Sequence, residues 1–339
     1  MELCYAVESH LLKFNKPVKT SRNSFDETTH WIVKIWNKNI PDCIGIGEAA
    51  PLPLLSPDFS DNLKLLLEGF LMQCSDNKAL EDLDLENFPA IKFALESAFL
   101  DLKNGGKQVY INSDYLNGRP ILINGLVWMN ELDEMLKEGI AKAEAGYGCI
   151  KFKVGQFDFD AECRLIEKFR NSKQGKNTII RLDANGAYKP DEAIEKLKEL
   201  NRFDIHSIEQ PIKAGQWDDM AKICRDSKVS IALDEELIGV KADNRTQLIR
   251  HISPQYIVLK PTLLGGFAEC EHWISLANKS KVGWWATSAL ESNIGLNAIA
   301  QWVGKYNTNI HQGLGTGLLY KTNFESKSVI SEGRLIYKN

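Results

Sequence analysis

The chain has 339 residues, of which 44% are hydrophobic and 25% are charged, which is typical of a globular protein with one large and one smaller domain. The 41 basic and 45 acidic residues give a formal charge of −4, and no basic run indicates a nucleic-acid partner. No stretch of about 18 apolar residues predicts a membrane span, and the N-terminus lacks the pattern of a signal peptide.

The first part of the chain predicts an α+β unit. Segments 2–13, 28–37 and 43–48 are rich in Val, Ile and aromatic residues and are separated by turn residues, which is typical of strands. Apolar residues recur at helical spacing in 61–73 and 88–103, which predicts two helices.

From about residue 120, short apolar runs alternate with amphipathic helical stretches, which indicates repeated βα units and a parallel sheet. Eight such strands close naturally into a (β/α)8-type barrel. An open doubly wound sheet is the alternative, but no Gly-x-Gly-x-x-Gly turn follows an early strand. The predicted strands are Ile121–Trp128, Cys149–Val154, Thr178–Leu182, Asp204–Ile208, Val229–Leu233, Tyr256–Leu259, Val282–Ala286 and Asn309–His311.

Ionisable residues stand at the C-terminal ends of successive predicted strands, where barrels of this kind carry their catalytic groups. Asp183, Glu209, Asp234 and Lys260 follow one another at intervals of 26, 25 and 26 residues, about one βα unit each. Three converging carboxylates repel one another unless a cation lies between them, and oxygen ligands suit Mg²⁺. Any one of these acids alone could equally be a solvated loop residue or a helix N-cap.

Two lysines, Lys151 and Lys153, end the second predicted strand and point to the same side of it. Adjacent ammonium groups lower each other's pKa, which would make a neutral lysine base attainable. The alternative is an exposed strand end, where Lys-x-Lys is common. Lys260 ends strand six, across the barrel from strand two.

The order of these motifs resembles the enolase superfamily, in the branch that includes muconate lactonising enzyme. The motifs are Lys-x-Lys, Leu-Asp-Ala-Asn-Gly, Glu-Gln-Pro, Leu-Asp-Glu and Leu-Lys-Pro, and Ile46–Pro51 is similar to the family's cap loop. The resemblance implies a modified (β/α)7β barrel at residues 116–317. It also implies an α+β capping domain at residues 1–115, on which the C-terminal segment 318–339 packs.

The resemblance also assigns roles to individual residues. The metal, Mg²⁺ with Mn²⁺ as a substitute, would be held by Asp183, Glu209 and Asp234. Lys153 would be the general base, and Lys260 would face the opposite side of the substrate. Glu235 lies beside the third ligand. The residues implied to support the site or bind substrate are Lys151, Arg181, Asn185, Thr287, Ser288 and Gly315.

Within the superfamily, the segments Ala286–Ser292, His311–Gly317 and Pro51–Ser56 resemble those of the o-succinylbenzoate synthases, although Leu54 stands where a glycine is expected. This implies Mg²⁺-dependent syn-dehydration of the dicarboxylate 2-succinyl-6-hydroxy-2,4-cyclohexadiene-1-carboxylate in menaquinone biosynthesis. Dipeptide epimerases of the same branch usually carry Asp-x-Asp after the last strand to hold an ammonium group. Here that place is Gly315-Thr316-Gly317, without an acid.

Two other functions remain open. A dipeptide epimerase or N-acylamino acid racemase would use Lys153 and Lys260 as paired bases, and a catalytically silent barrel would only bind a ligand. We expect Thr20–Asp26 and Ala50–Phe59 to close the site, and Gly265-Gly266 either to bind a substrate carboxylate through N–H groups or simply to start a helix.

The expected partner is a small molecule, with no nucleic acid and no membrane, and an oligomer is compatible with the sequence. The seven cysteines are scattered and never form Cys-x-x-Cys, which favours reduced thiols and a cytoplasmic protein.

Overall fold

The computed structural model describes residues 2–19 and 24–338. The N-terminal region is an antiparallel sheet with the strand order β1 (Leu3–Lys19), β2 (Ser24–Asn37) and β3 (Ile40–Ala49). Helices α1 (Leu63–Ser75) and α2 (Pro89–Lys103) pack on one face of it, and the helices predicted from periodicity are confirmed within two residues at each end.

Strand β3 lies directly against α2 because two of its residues have no side chain. A Cβ on Gly47 would lie 1.9 Å from the carbonyl oxygen of Ala94, and one on Gly45 would lie 2.2 Å from that of Ala98. Strand β3 then leads into the loop 50–59.

That second system is a seven-stranded parallel sheet in which each strand pairs with its neighbour in sequence. The predicted barrel is confirmed. Its strands are β5 (Gly125–Val127), β6 (Cys149–Lys153), β7 (Ile179–Asp183), β8 (Ile205–Glu209), β9 (Ser230–Leu233), β10 (Tyr256–Leu259) and β11 (Gly283–Ala286).

Helices follow the barrel strands and bury their apolar faces against them in one continuous core. They are α3 (Leu132–Glu144), α4 (Phe159–Asn171), α5 (Pro190–Leu200), α6 (Trp217–Asp226), α7 (Ala242–Ile252), α8 (Pro261–Leu264), α9 (Gly266–Lys279) and α10 (Asn293–Val303).

The prediction of an eighth strand at Asn309–His311 is wrong, because the two edges of the sheet are joined by the residues that follow it. Gln312 bridges to Ile123, and Gly313 bridges to Thr287. Gln312 donates its N–H to Leu122 at 2.8 Å, and Gly313 donates to Ala286 at 2.7 Å. Two single-residue bridges therefore close the barrel where a regular strand was expected.

The predicted strand Ile121–Trp128 is also shorter than expected, because it divides in two. Its first part, β4 (Ile121–Leu122), leaves the barrel and pairs with β13 (Arg334–Tyr337), which forms a hairpin with β12 (Ser328–Ser331). Upstream of that hairpin, Lys321 donates its backbone N–H to Lys13 of β1 at 2.7 Å. The C-terminal segment thus contacts both sheet systems.

All seven cysteines are free thiols, as the scattered spacing predicted. No helix in residues 2–19 and 24–338 has the length and apolar content needed to cross a membrane.

Candidate active site

The mouth of the barrel brings three carboxylates together. Strand pairing aligns Asp183 at the end of β7 with Glu209 at the end of β8, and Asp234 directly follows β9. Their carboxylate oxygens lie within 4.8 Å of one another, and each residue is at most 2% exposed. Because parallel strands present their C-terminal ends at one face of a barrel, regular spacing along the chain becomes proximity in space.

Three lysines surround these acids, and each donates to a different carboxylate. Lys151 and Lys153 project from one face of β6, and Lys260 follows β10, four strands away in the sheet. The Nζ-to-oxygen distances are 2.7 Å for Lys153 and Asp183, 2.6 Å for Lys151 and Glu209, and 2.5 Å for Lys260 and Asp234. Lys153 and Lys260 therefore approach the acids from strands on opposite sides of them.

The acids are arranged to accept a cation. Burial raises the pKa of Glu209 to about 7, and the neighbouring charges of Asp183 and Asp234 add to the rise. Oε1 of Glu209 is buried and has no hydrogen-bond partner in the described part of the chain. A divalent cation would use this spare acceptor and offset the crowded negative charge, so the donor set fits Mg²⁺.

The lysines respond to the same charges. Burial alone would lower the pKa of Lys151, but Glu209 and Asp183 raise it above its ordinary value. The pKa of Lys260 is likewise raised, because Asp234 and Glu235 outweigh its burial. The carboxylates in contact with Lys151 therefore outweigh both its burial and the charge of Lys260. The mutual lowering of the two lysine pKa values beside a metal ion stays a prediction. Lys151 is a charged partner of Glu209.

Two of the predicted supporting residues lie at different depths. Asn185 lies at the mouth, where its Oδ1 accepts from Lys153 at 2.7 Å and its Nδ2 donates to Glu235 at 2.8 Å. Arg181 lies deeper in the barrel, 1% exposed, where it donates to the carbonyl of His311 at 2.8 Å and stacks on Trp285 at 3.8 Å. Arg181 therefore supports the interior below the acids and does not contact them.

A cavity of about 200 Å³ opens beside the acids and lysines. Its charged and amide lining includes the lysines Lys151, Lys153 and Lys260, the acids Asp183 and Glu235, and the amides Asn124 and Asn185. The motifs had not indicated Asn124. The apolar part of the lining comes from the cap loop, the barrel and the C-terminal segment: Leu52, Pro53, Leu55, Leu126, Trp128, Leu263, Leu290 and Leu319. The cavity thus offers both charged groups and apolar surface that suits a ring.

The predicted substrate contacts Thr287, Ser288 and Gly315 all line this cavity. The Ser288 hydroxyl donates to Glu291 at 2.5 Å and accepts from Thr316, so its hydrogen bonds are directed into the protein. Oγ1 of Thr287 is buried and lacks a partner among residues 2–19 and 24–338. Thr287 therefore contributes a hydroxyl to this wall that forms no hydrogen bond with the described part of the protein, and this hydroxyl lies against Gly313.

Two expectations about loops have different outcomes. Leu52, Pro53 and Leu55 of the loop 50–59 line the cavity, and Leu54 has a positive φ of 63°, the conformation that favours the expected glycine. Residues 20–23 of the other predicted closing segment, Thr20–Asp26, lie outside the described residues.

The glycine pair does not face the cavity. Helix α9 begins at Gly266, and the N–H groups of Phe267 and Ala268 donate to the carboxylate of Glu96 on α2. A Cβ on Gly266 would lie 2.0 Å from Oε2 of Glu96. Of the two alternatives, the structure shows the helix start, and a carboxylate of the protein already caps this helix.

Comparison with known proteins agrees with this geometry. Residues 134–337 match the family described as enolase C-terminal domain-like. The chain is 41% identical to the o-succinylbenzoate synthase of Desulfotalea psychrophila, over 99% of this chain and 98% of that protein. The crystal structure of MenC from Desulfotalea psychrophila LSv54 has a TM-score of 0.86 and 39% identity, and covers 99% and 100% of the two chains. A substrate-liganded L-Ala-D/L-Glu epimerase from Bacillus subtilis has a TM-score of 0.85 at 20% identity, over 100% and 97%, and so shares the fold.

Proposed function

The chain belongs to the enolase C-terminal domain-like family, and from this membership we propose that it is an o-succinylbenzoate synthase. The reaction is syn-dehydration of 2-succinyl-6-hydroxy-2,4-cyclohexadiene-1-carboxylate to 2-succinylbenzoate, a step of menaquinone biosynthesis. The observation that carries the proposal is a pair of lysines on opposite sides of a buried acid cluster, beside a cavity with much apolar lining.

Lys153 is proposed as the general base. In its neutral form its Nζ removes the proton from the ring carbon next to the carboxylate, and the bonding electrons move into the carboxylate as the enediolate forms. The same Nζ then gives that proton to the departing 6-hydroxyl, so that water leaves from the face on which the proton was removed. The hydrogen bond from Lys153 to Asn185 supports this role, since it orients the lysine side chain at the cavity wall.

Lys260 is proposed to remain protonated on the other face. Its raised pKa and its hydrogen bond to Asp234 keep a fixed positive charge at the cavity. This charge stabilises the enediolate and contacts the ring face as a cation–π pair. Asp183, Glu209 and Asp234 would hold Mg²⁺, or Mn²⁺ in its place, which when bound offsets the second negative charge that develops on the substrate carboxylate.

The lining of the cavity favours an anionic substrate with a ring. Lys151, Lys153 and Lys260 reach the cavity beside the acids, and much of the remaining lining is apolar. The uncharged end Gly315-Thr316-Gly317, of which Gly315 and Thr316 line the cavity, offers no acid to a substrate ammonium.

The test is turnover of the cyclohexadiene substrate, followed as loss of diene absorbance with Mg²⁺ present, against a panel of dipeptides and N-succinylamino acids. We expect rapid dehydration and, at most, slow exchange of the α-proton in the panel. Rapid deuterium exchange into dipeptides or N-acylamino acids, with no dehydration, would favour an epimerase or racemase instead. That second function is supported by Lys153 and Lys260, which both line the cavity and approach the acids from strands four positions apart in the sheet. Failure to bind Mg²⁺ in calorimetry would favour a silent binding barrel.

We further propose that residues 1–115, with 318–339, form the capping domain and 116–317 the catalytic domain. Support comes from the backbone hydrogen bonds of Leu319 and Lys321 with β1, at 2.7 Å each. A cytoplasmic location is supported by the seven free thiols.

A further inference from the structure

Two further buried carboxylates lie close to the cavity but outside the cluster of three acids. Glu48 comes from β3, Glu291 comes from the loop after β11, and both are fully buried. Oε1 of Glu291 accepts from the hydroxyl of Thr262 at 2.5 Å. Its Oε2 accepts from the hydroxyl of Ser288 at 2.5 Å and from the backbone of Ala289 at 2.8 Å. Three donors from two different segments thus converge on one carboxylate.

The two segments that Glu291 joins are both walls of the cavity. Thr262 lies in α8, which begins directly after Lys260. Leu263 and Leu264 of this helix donate their N–H groups to the Lys260 carbonyl at 2.9 and 3.0 Å. Ser288 directly follows Thr287, which lines the cavity and whose hydroxyl has no partner among the described residues. Glu291 therefore connects the turn that carries Lys260 to the wall that carries Thr287.

The backbone of this wall includes one residue in a disfavoured conformation. Leu290 has a positive φ of 67°, a conformation that L-residues adopt at a cost of about 1–2 kcal/mol. Its N–H donates to the Ser288 hydroxyl at 3.1 Å, and its carbonyl accepts from Tyr320 at 2.5 Å. The hydroxyl that holds Leu290 is the one that Glu291 holds in turn.

We propose that Glu291 is a positioning residue, whose carboxylate fixes the separation between Lys260 and Thr287 across the substrate. The inference rests on the proposed dehydration, which assigns Lys260 to one face of the ring, and it takes Thr287, which lines the cavity, as a contact of the substrate. Glu291 itself lies behind the wall and touches neither the cavity nor the acid cluster. The two hydrogen bonds of Glu291 have separable effects. The bond from Thr262 acts on the position of Lys260 and therefore on kcat. The bond from Ser288 acts on the position of Thr287 and therefore on KM.

Glu48 provides a matched control in the same molecule. It accepts from the Ser292 hydroxyl at 2.6 Å, just as Glu291 accepts from Ser288, and both serines are buried. Glu48 also accepts from the N–H groups of Ser292 and Gly295 at the start of α10, and it contacts His30. Ser292 and Gly295 belong to a helix terminus and do not line the cavity, so Ser292→Ala tests the stability effect of losing such a bond.

The experiment measures kcat, KM and Tm for Thr262→Val, Ser288→Ala, Glu291→Gln and Ser292→Ala in the presence of Mg²⁺. We expect about a 10-fold lower kcat with little change in KM for Thr262→Val, since a small displacement of a reacting group is costly. We expect a KM about 5- to 10-fold higher for Ser288→Ala, and both effects in Glu291→Gln. We expect Ser292→Ala to lower Tm about as much as Thr262→Val and Ser288→Ala do, but to keep both kcat and KM within about twofold of wild type.

The inference is overturned if Thr262→Val and Ser288→Ala keep wild-type kcat and KM while their Tm falls as in Ser292→Ala. Glu291 would then only stabilise the fold. A wild-type protein that binds Mg²⁺ but does not dehydrate the cyclohexadiene is a different result: it removes the proposed function and the inference with it. The single-donor variants keep the test decisive if Glu291→Gln does not fold.

Discussion

Two sets of buried carboxylates in this protein differ in how completely they are hydrogen-bonded. Both oxygens of Glu48 and both oxygens of Glu291 accept hydrogen bonds from N–H or O–H groups of the protein. Glu209, at the barrel mouth, is equally buried, but its Oε1 has no partner among the described residues. The first two are therefore complete as structural groups, whereas Glu209 keeps an acceptor for something that the protein itself does not supply.

Neither burial nor the direction of the pKa shift separates the two sets. Burial raises the pKa of both Glu209 and Glu291, while His30 and Ser292 overcome the burial of Glu48 and lower its pKa. The useful distinction is a spare oxygen together with other carboxylates close by. Asp58 shows that both conditions are needed, since its Oδ1 is also without a partner in the described part of the chain, but it does not belong to the acid cluster.

The largest expected effect comes from removing the proposed base at the mouth. Lys153→Ala should lower kcat by about 10²–10⁴-fold, the usual contribution of a positioned general base. Folding stability should fall little, because the residue lines the cavity and is not part of the apolar core. Dehydration is measured by diene absorbance and stability by thermal unfolding.

Dehydration by Lys153→Ala at close to the wild-type rate would contradict the base assignment. Lys260→Arg is a companion variant, and it too should lose activity, because a planar guanidinium does not occupy the position of an ammonium group. Thr262→Val is expected to lose far less, since it moves Lys260 without removing it.

The second prediction compares the two sets of acids directly. Glu209→Gln should weaken Mg²⁺ binding by at least about 10²-fold, because it removes a charged ligand from the cluster. Glu48→Gln should keep Mg²⁺ affinity within about twofold but lower the free energy of unfolding by about 2–3 kcal/mol, since the partners of a buried charge are left unmatched. Calorimetric titration with Mg²⁺ and chemical denaturation measure the two quantities.

The opposite pattern, with Mg²⁺ affinity lost in Glu48→Gln and kept in Glu209→Gln, would refute the distinction between the two sets. Equal loss of stability in both variants, with Mg²⁺ binding unchanged, would show that Glu209 too is only structural.

The sequence predicted the acid cluster well because its signal is periodic. One ionisable residue per βα unit, in phase with the strands, becomes a cluster in any closed parallel barrel, so Asp183, Glu209 and Asp234 needed no three-dimensional information. The closing bridges at Gln312 and Gly313 were not predicted, because single bridging residues leave no alternating apolar run.

The contacts that support the site depend on distant partners. Glu291 acts through Thr262, 29 residues away, and the start of α9 is capped by Glu96, 171 residues before Phe267. No local pattern encodes such pairs. The depth of Arg181 is a related case: alternation places it inside the barrel, but its stacking on Trp285 depends on the packing of a strand four positions away in the sheet.

The third prediction uses Asp58 to show what a spare oxygen does without a cation site. Burial raises the pKa of Asp58 to about 6, above its ordinary value of 3.8, although its Oδ2 accepts from Ala90 and Ile91. A folded-state pKa above the unfolded one means that the folded state holds the proton more tightly. The contribution of Asp58 to stability is therefore fully present below pH 3.8 and is lost as the pH rises to about 6.

Wild type should lose roughly 1–3 kcal/mol of unfolding free energy through Asp58 over this pH range. Asp58→Asn removes the titrating group and keeps an oxygen for the two N–H donors, so its stability should fall less between pH 4 and 6. Denaturation curves of both proteins at several pH values measure the difference, and parallel pH profiles would contradict the prediction. Mg²⁺ should leave this difference unchanged, because Asp58 is outside the acid cluster.

The smallest expected effect concerns Thr287, whose oxygen without a hydrogen-bond partner belongs to a hydroxyl and not to a carboxylate. Oγ1 of Thr287 is buried without a partner in the described chain, so Thr287→Val should leave Tm unchanged or slightly higher, whereas Ser288→Ala, which loses a bond to Glu291, should lower it. KM should rise by about 2- to 10-fold in Thr287→Val, since one neutral hydrogen bond contributes roughly 0.5–1.5 kcal/mol. Thr287→Ser, which keeps the hydroxyl, should retain the wild-type KM. A lower Tm with unchanged KM in Thr287→Val would mean that this hydroxyl stabilises the protein, and that an unpartnered oxygen at the barrel mouth does not by itself indicate a ligand.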